Sequence, residues 1–265
     1  MKVFISADME GVTGTTQWEE CNRNSPFYAK FAEQMTREVE AACKGAINAG
    51  AKEIVVKDSH SSATNIDITA LPEGVKLIRN WSGHPYAMVD GIDSSFDAAI
   101  FIGYHAAAGR PGNPLSHTMS GVPYTIKING QYASEFMLYS YAAVLEKVPT
   151  VFVSGDAMLC EDSKALHPKL KSVAVKSGKG NLTINESPAS VIKWIESGVE
   201  IALNQDLSDA LVTLPEHFTV EIAFKEHTIK TKKAFYPGMQ EVDDLTLRFE
   251  TDDYFEVLRM IAFVI

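Results

Sequence analysis

Four apolar segments of the chain each end in an acid or a histidine. KVFISA (2–7) runs into Asp8 and Glu10, EIVVKDSH (53–60) into Asp58, Ser59 and His60, AAIFIGYH (98–105) into His105, and PTVFVSGD (149–156) into Gly155 and Asp156. Carboxylate and imidazole are ligands that zinc accepts alongside thiolate. Asp8 and Glu10 stand two apart on extended chain, so both point to one side and could grip the same ion. Glu135 offers a third carboxylate. Converging carboxylates repel one another unless cations neutralise them. Three carboxylates with two histidines exceed the needs of one tetrahedral zinc, which points to a two-metal site with a shared carboxylate. His117, in the Gly/Pro-rich loop 109–123, is placed to act as acid, base or electrostatic stabiliser rather than as a ligand.

These residues need a scaffold that gathers strand ends. Residues 27–49 space Phe31, Met35, Val39, Ala42, Ala46 and Ile47 as one face of a helix that Gly50 stops. Asn129-Gly130 inside YTIKINGQYAS is a hairpin signal, and a helix from about Ser134 to Glu146 follows, with Glu135 on its first turn. Strands alternating with helices predict a parallel sheet covered on both faces, in a three-layer α/β/α arrangement. In such sheets ligands bind outside the carboxyl ends of the strands, where all four runs end. The second half is less regular. SVAVK (172–176), FTVEIAF (218–224) and LTLRFE (245–250) read as strands. A helix runs from Ser187-Pro188 to about Asn204, and another starts after Thr251-Asp252-Asp253. The expected organisation is a metal-binding α/β core over 1–160 and a smaller α+β C-terminal portion over 161–265 packed on it.

Each signal also has an ordinary reading. A D-x-E pair can cap a loop, and one histidine after a strand is usually structural. Asp58 and Asp156 could orient an imidazole by accepting its second N–H, or cap the next helix. Ser59 and Asn65 could line the pocket. His84, His167, His217 and His227 read as surface residues, and Cys43 and Cys160 as small core hydrophobes. No C-x-x-C, H-E-x-x-H, G-x-G-x-x-G or Walker pattern occurs.

Composition narrows the partners. Apolar residues make up 46% of the 265 and the net charge is −10, so the chain is globular and poorly suited to a nucleic-acid backbone. Three widely spaced cysteines argue against a disulfide framework and for a reducing, cytoplasmic setting. MKVFISADME lacks a signal-peptide core, and no run of about eighteen apolar residues predicts a membrane span.

SADMEGVTG (6–14), VKDSHSSATN (56–65), FIGYHAAAGRPG (101–112), LSHTM (115–119), INGQYASE (128–135) and VSGD (153–156) together resemble the D-aminopeptidase family of dinuclear zinc peptidases, the type associated with bacterial dipeptide-transport operons. The likeness keeps its order to about residue 160 and continues weakly to FYPGMQ (235–240). It implies two Zn2+ per subunit on Asp8, Glu10, His60, His105 and Glu135, with Asp8 bridging, and a catalytic role for His117. It further implies short peptide substrates with an N-terminal D-amino acid and a homo-oligomeric ring, a decamer being one candidate. The stretch from Thr15 to Pro26 and the C-terminal third diverge from the family pattern, and they bear on substrate choice rather than on the metal site. The expected reaction is removal of the N-terminal residue from short peptides or amides through a metal-bound hydroxide. The alternatives are a two-metal phosphoesterase and a non-enzymatic metal- or peptide-binding ring protein.

Overall fold

A computed structural model describes all of residues 1–265. Its strands are β1 (Lys2–Ala7), β2 (Glu53–Asp58), β3 (Lys76–Ile78), β4 (Ala98–Tyr104), β5 (Pro123–Ile128), β6 (Gln131–Tyr132), β7 (Thr150–Asp156), β8 (Lys171–Lys179), β9 (Leu182–Asn185), β10 (Phe218–Phe224), β11 (Gln240–Glu241) and β12 (Thr246–Thr251). The helices are α1 (Trp18–Cys21), α2 (Tyr28–Asn48), α3 (Glu135–Leu145), α4 (Ala157–Leu166), α5 (Pro188–Asn204), α6 (His227–Lys233) and α7 (Tyr254–Val264). None of the helices is long and apolar enough to cross a membrane.

The main sheet has the order β3-β2-β1-β4-β7-β8-β9, parallel except for β9. Its central strands β1, β4 and β7 are buried on both sides, so they are continuously apolar rather than alternating. Alternate residues feed two cores. Val3, Ile5, Val56, Ile100 and Ile102 pack with α2 and α5, whereas Phe4, Val55 and Phe101 face α3, the second sheet and α7. The second sheet has the order β11-β12-β10-β5-β6 and is antiparallel. Strand pairing crosses residue 160 in both directions: β8 and β9 extend the first sheet, and β5 and β6 join the second.

The chain moves from β1 outward to β2 and β3, then returns to place β4 on the other side of β1. The carboxyl ends of β1 and β4 are therefore the point where strand order reverses, the usual crevice for a ligand in an open α/β sheet. Two glycines allow the chain to close there. Gly103 in β4 has φ 72, and a Cβ on it would lie 2.3 Å from the Asp8 carbonyl oxygen. A Cβ on Gly11 would lie 1.7 Å from the Tyr104 carbonyl oxygen. With neither Cβ present, Asp8 N–H donates to the Ile102 carbonyl and Gly11 N–H to that of Gly103, both at 2.8 Å. The loop after β1 is thereby laid across the end of β4.

His167 corrects a sequence expectation. It is buried rather than exposed, with Phe136 and Tyr141 against its ring and Nε2 3.0 Å from Ser140 Oγ. A polar residue after a short helix reads as surface, but the ring fills space beneath α3. Burial disfavours the imidazolium and brings its pKa down to about 4 from 6.5. Between those values the unfolded chain binds more protons than the folded one, so stability falls as pH drops through that window. The loss is complete below about pH 4 and amounts to about 3 kcal/mol. Urea titrations of the metal-free protein at several pH values should show this loss reduced in His167→Gln; an unchanged pH slope would contradict it.

Candidate metal centre

The site assembles at the sheet's switch point. Asp8 and Glu10 follow β1, His60 follows β2, His105 follows β4, and Glu135 opens α3. All five are buried. Ser134 caps α3, its hydroxyl oxygen accepting the Met137 N–H, and this fixes Glu135 at the first helical position.

Asp8 lies at the centre. Its Oδ1 is 3.2 Å from His60 Nδ1, and its Oδ2 is 3.4 Å from His105 Nε2. Glu10 Oε2 stands 3.0 Å from His60 Nδ1, and Glu135 Oε2 stands 3.1 Å from His105 Nε2. Two clusters thus share Asp8: Glu10 with His60 on one side, and Glu135 with His105 on the other.

The second nitrogen of each ring faces a carbonyl oxygen. His60 Nε2 is 3.0 Å from the Cys21 carbonyl, His105 Nδ1 is 3.0 Å from that of Ala106, and His117 Nδ1 is 2.9 Å from that of Leu115. A carbonyl only accepts, so those nitrogens carry the hydrogens. The remaining nitrogens, His60 Nδ1, His105 Nε2 and His117 Nε2, turn lone pairs toward the carboxylates. This is how metal-binding imidazoles are commonly oriented.

Lone pairs aimed at carboxylates need a cation or protons between them. Asp8 Oδ2, Glu10 Oε2 and His105 Nε2 are buried without a hydrogen-bond partner. Burial opposes charge on His105, but the Glu135 and Asp8 carboxylates outweigh it and hold its pKa well above the usual value. Burial likewise opposes charge on His60, and Glu10 and Asp8 again reverse the outcome. For Asp8, burial raises the pKa, yet the facing His105 and His60 imidazoles win and bring it to about 2. The charge distribution calls for positive charge among these side chains, and the carboxylate–imidazole donor set fits zinc. The residues present fit the metal.

His117 differs from the two buried imidazoles. Its side chain keeps 15% exposure, against 6% for His60 and none for His105. Its ring stacks on His105, centroids 4.4 Å apart and planes at 14°, while Nε2 lies 3.5 Å from Glu135 Oε1. His105, His117 and Glu135 could also share an ion, since their donor atoms lie within 4.8 Å of one another. His117 nevertheless faces the open cavity, of about 800 Å³, that Asp8, Glu10, His60 and Glu135 floor.

Asp58 and Asp156 do not touch an imidazole nitrogen. Asp58 accepts the Asn65 and Ile66 N–H groups and the Asn65 side-chain amide, which in turn donates to the His60 carbonyl. Asp58 and Asn65 therefore tie the loop carrying His60, and Asn65 is not a pocket residue. Asp156 caps α4 through the Leu159 N–H and accepts the Ala106 N–H beside His105. Ser59 does border the cavity, and its hydroxyl donates to the Met88 carbonyl.

The structure adds groups that sequence reading did not single out. Lys176 of β8 is buried, and Nζ donates to the carbonyls of Glu10 and, at 2.6 Å, Thr15. Burial brings its pKa down to about 8. Asn113 Nδ2 donates to the same Glu10 carbonyl at 3.0 Å. A lysine closing the apolar run SVAVK was the one available sign. Trp18 stands on α1 with its ring centroid 5.3 Å from that of His117.

Known proteins match this arrangement along the whole chain. A curated relative, the D-aminopeptidase of Bacillus subtilis (strain 168), is 29% identical over 258 residues, spanning 97% of this chain and 93% of the relative. The solved structure described as the Zn-dependent D-aminopeptidase DppA from Bacillus subtilis, a self-compartmentalizing protease, superposes with a TM-score of 0.92 at 28% identity. It covers 100% of this chain and 96% of that one. The sequence profile of the D-aminopeptidase peptidase family matches residues 1–263. The chain belongs to the D-aminopeptidase family.

Proposed function

We propose that this chain is a zinc-dependent D-aminopeptidase that removes the N-terminal residue from short peptides or amides. The observation that carries the reading is the pair of clusters joined by Asp8, with buried, unpartnered oxygen and nitrogen atoms aimed between them. Asp8, Glu10 and His60 would hold one zinc, and Asp8, His105 and Glu135 a second. Bound zinc supplies Lewis acidity, acidifying a water and polarising a carbonyl.

The chain's own groups supply the rest. The carbonyls of Cys21 and Ala106 hold His60 and His105 in the ligating tautomer. Lys176 and Asn113 anchor the Glu10 backbone from behind. His117 Nε2 is placed to hand a proton to the leaving amine or to stabilise the tetrahedral oxyanion. The five buried ligands suffice for two ions without it, and its partial exposure leaves it accessible to substrate.

A phosphoesterase would need arginine or lysine toward the phosphate. Neither lines the cavity, which favours a substrate bearing an amine. A purely binding protein would gain nothing from an exposed histidine beside the ligands. We infer a ring-forming homo-oligomer acting in the cytoplasm. Phe235 and Phe263, 86% and 70% exposed, offer apolar surface for subunit contact, and the unpaired cysteines suit a reducing compartment. A decamer is one candidate for the ring, and sedimentation measures the number directly. Parallel assays with D-alaninamide, L-alaninamide and an aryl phosphate test the reaction class. Hydrolysis of the D-amide in preference to the other two supports the reading, and faster phosphate release would overturn it.

A further inference from the structure

We propose that Trp18 forms the wall of the subsite that receives the residue leaving after cleavage, and that it sets a preference for apolar residues there. The inference rests on the reading of His117 as the group serving the leaving amine. Whatever packs against His117 on the cavity side then borders the leaving residue. Trp18 does so: its indole meets the His117 ring edge-on at 66°, is 50% exposed, and lines the cavity. Met119 continues the same wall, and its N–H donates to Glu135 Oε1 at 2.7 Å.

The helix that carries the indole is tied at both ends. Glu20 Oε2 accepts the N–H groups of Thr16 and Gln17, at 2.6 and 3.0 Å, and closes the turn that starts α1. At the other end of α1 the Cys21 carbonyl holds His60. The His117 ring that Trp18 touches is itself stacked on that of His105. A rigid aromatic surface costs little ordering on binding, so apolar contact with it translates well into affinity.

The test compares D-alaninamide, whose leaving group is ammonia, with D-alanyl-leucinamide in wild type, Trp18→Ala, Trp18→Phe and the remote control Trp194→Ala. Wild type should favour the leucinamide substrate in kcat/KM. Trp18→Ala should lose about tenfold of that preference, the scale of a hydrophobic subsite contact, while Trp18→Phe retains most of it. A second readout uses metal-free protein: saturation-transfer NMR should carry signal from aromatic protons to the methyls of added leucinamide, less so in Trp18→Ala and undiminished in Trp194→Ala. Equal losses on both substrates, or an unchanged ratio with unchanged transfer, would overturn the proposal for Trp18 alone. Normal turnover by His117→Ala would sink both this inference and the role of His117.

Discussion

Replacing His117 by alanine is expected to lower kcat by about two to four orders of magnitude, the usual worth of a positioned acid–base group. Zinc content should stay at the wild-type level. The two readouts together separate the roles open to this imidazole. Its Nε2 stands 3.5 Å from Glu135 Oε1, near enough to join an ion held by His105 and Glu135. If it were a ligand, the alanine variant would lose metal along with turnover. If it only packed against His105, turnover would survive. A large loss in kcat with full zinc occupancy is the outcome that matches an accessible, carbonyl-oriented imidazole beside a complete ligand set. Atomic absorption and steady-state kinetics on one preparation decide the matter.

Asp8→Asn should cost metal as well as turnover. One oxygen of Asp8 faces each histidine, so the amide removes a charge from both clusters. It would also present an NH2 group toward one imidazole lone pair. Zinc should fall below the wild-type stoichiometry at any free concentration that saturates the parent. Turnover should fall by about a thousandfold or more, the scale set by the several kcal/mol that metal ions contribute. Glu10→Gln removes the charge nearest His60 and should weaken the ion on that side more than the one at His105 and Glu135. Equal zinc retention by Asp8→Asn and wild type would show that Asp8 does not bridge.

The strand ends were legible because buried parallel strands are continuously apolar, so a polar residue after them marks where the backbone reaches solvent or a ligand. That logic placed Asp8, Glu10, His60 and His105 together. Asn129-Gly130 was legible for a similar reason, since both residues take positive φ, 50° and 80°, as a tight hairpin turn requires. Glu135 was different: nothing local marks a first-turn glutamate as a ligand, and the family resemblance carried it. Pairing was hidden as well. The hairpin of β5 and β6 is written in the sequence, but its docking onto β10 rather than the main sheet depends on contacts nearly a hundred residues apart. Lys176 and Trp18 escaped notice because a buried lysine satisfied by carbonyls and a half-exposed tryptophan carry no spacing signal. At His167 polarity predicts exposure, whereas packing with Phe136 and Tyr141 decides its place.

A two-ion site that cleaves after an N-terminal D-residue has both a metal stoichiometry and a stereochemistry to check. The most direct measurement determines zinc per subunit in an active preparation while following release of the N-terminal residue from matched D- and L-dipeptides. Two equivalents of zinc, with release from the D-series and loss of activity on chelation, is the expected result. Full activity with fewer than two equivalents, or a preference for the L-series, would contradict it.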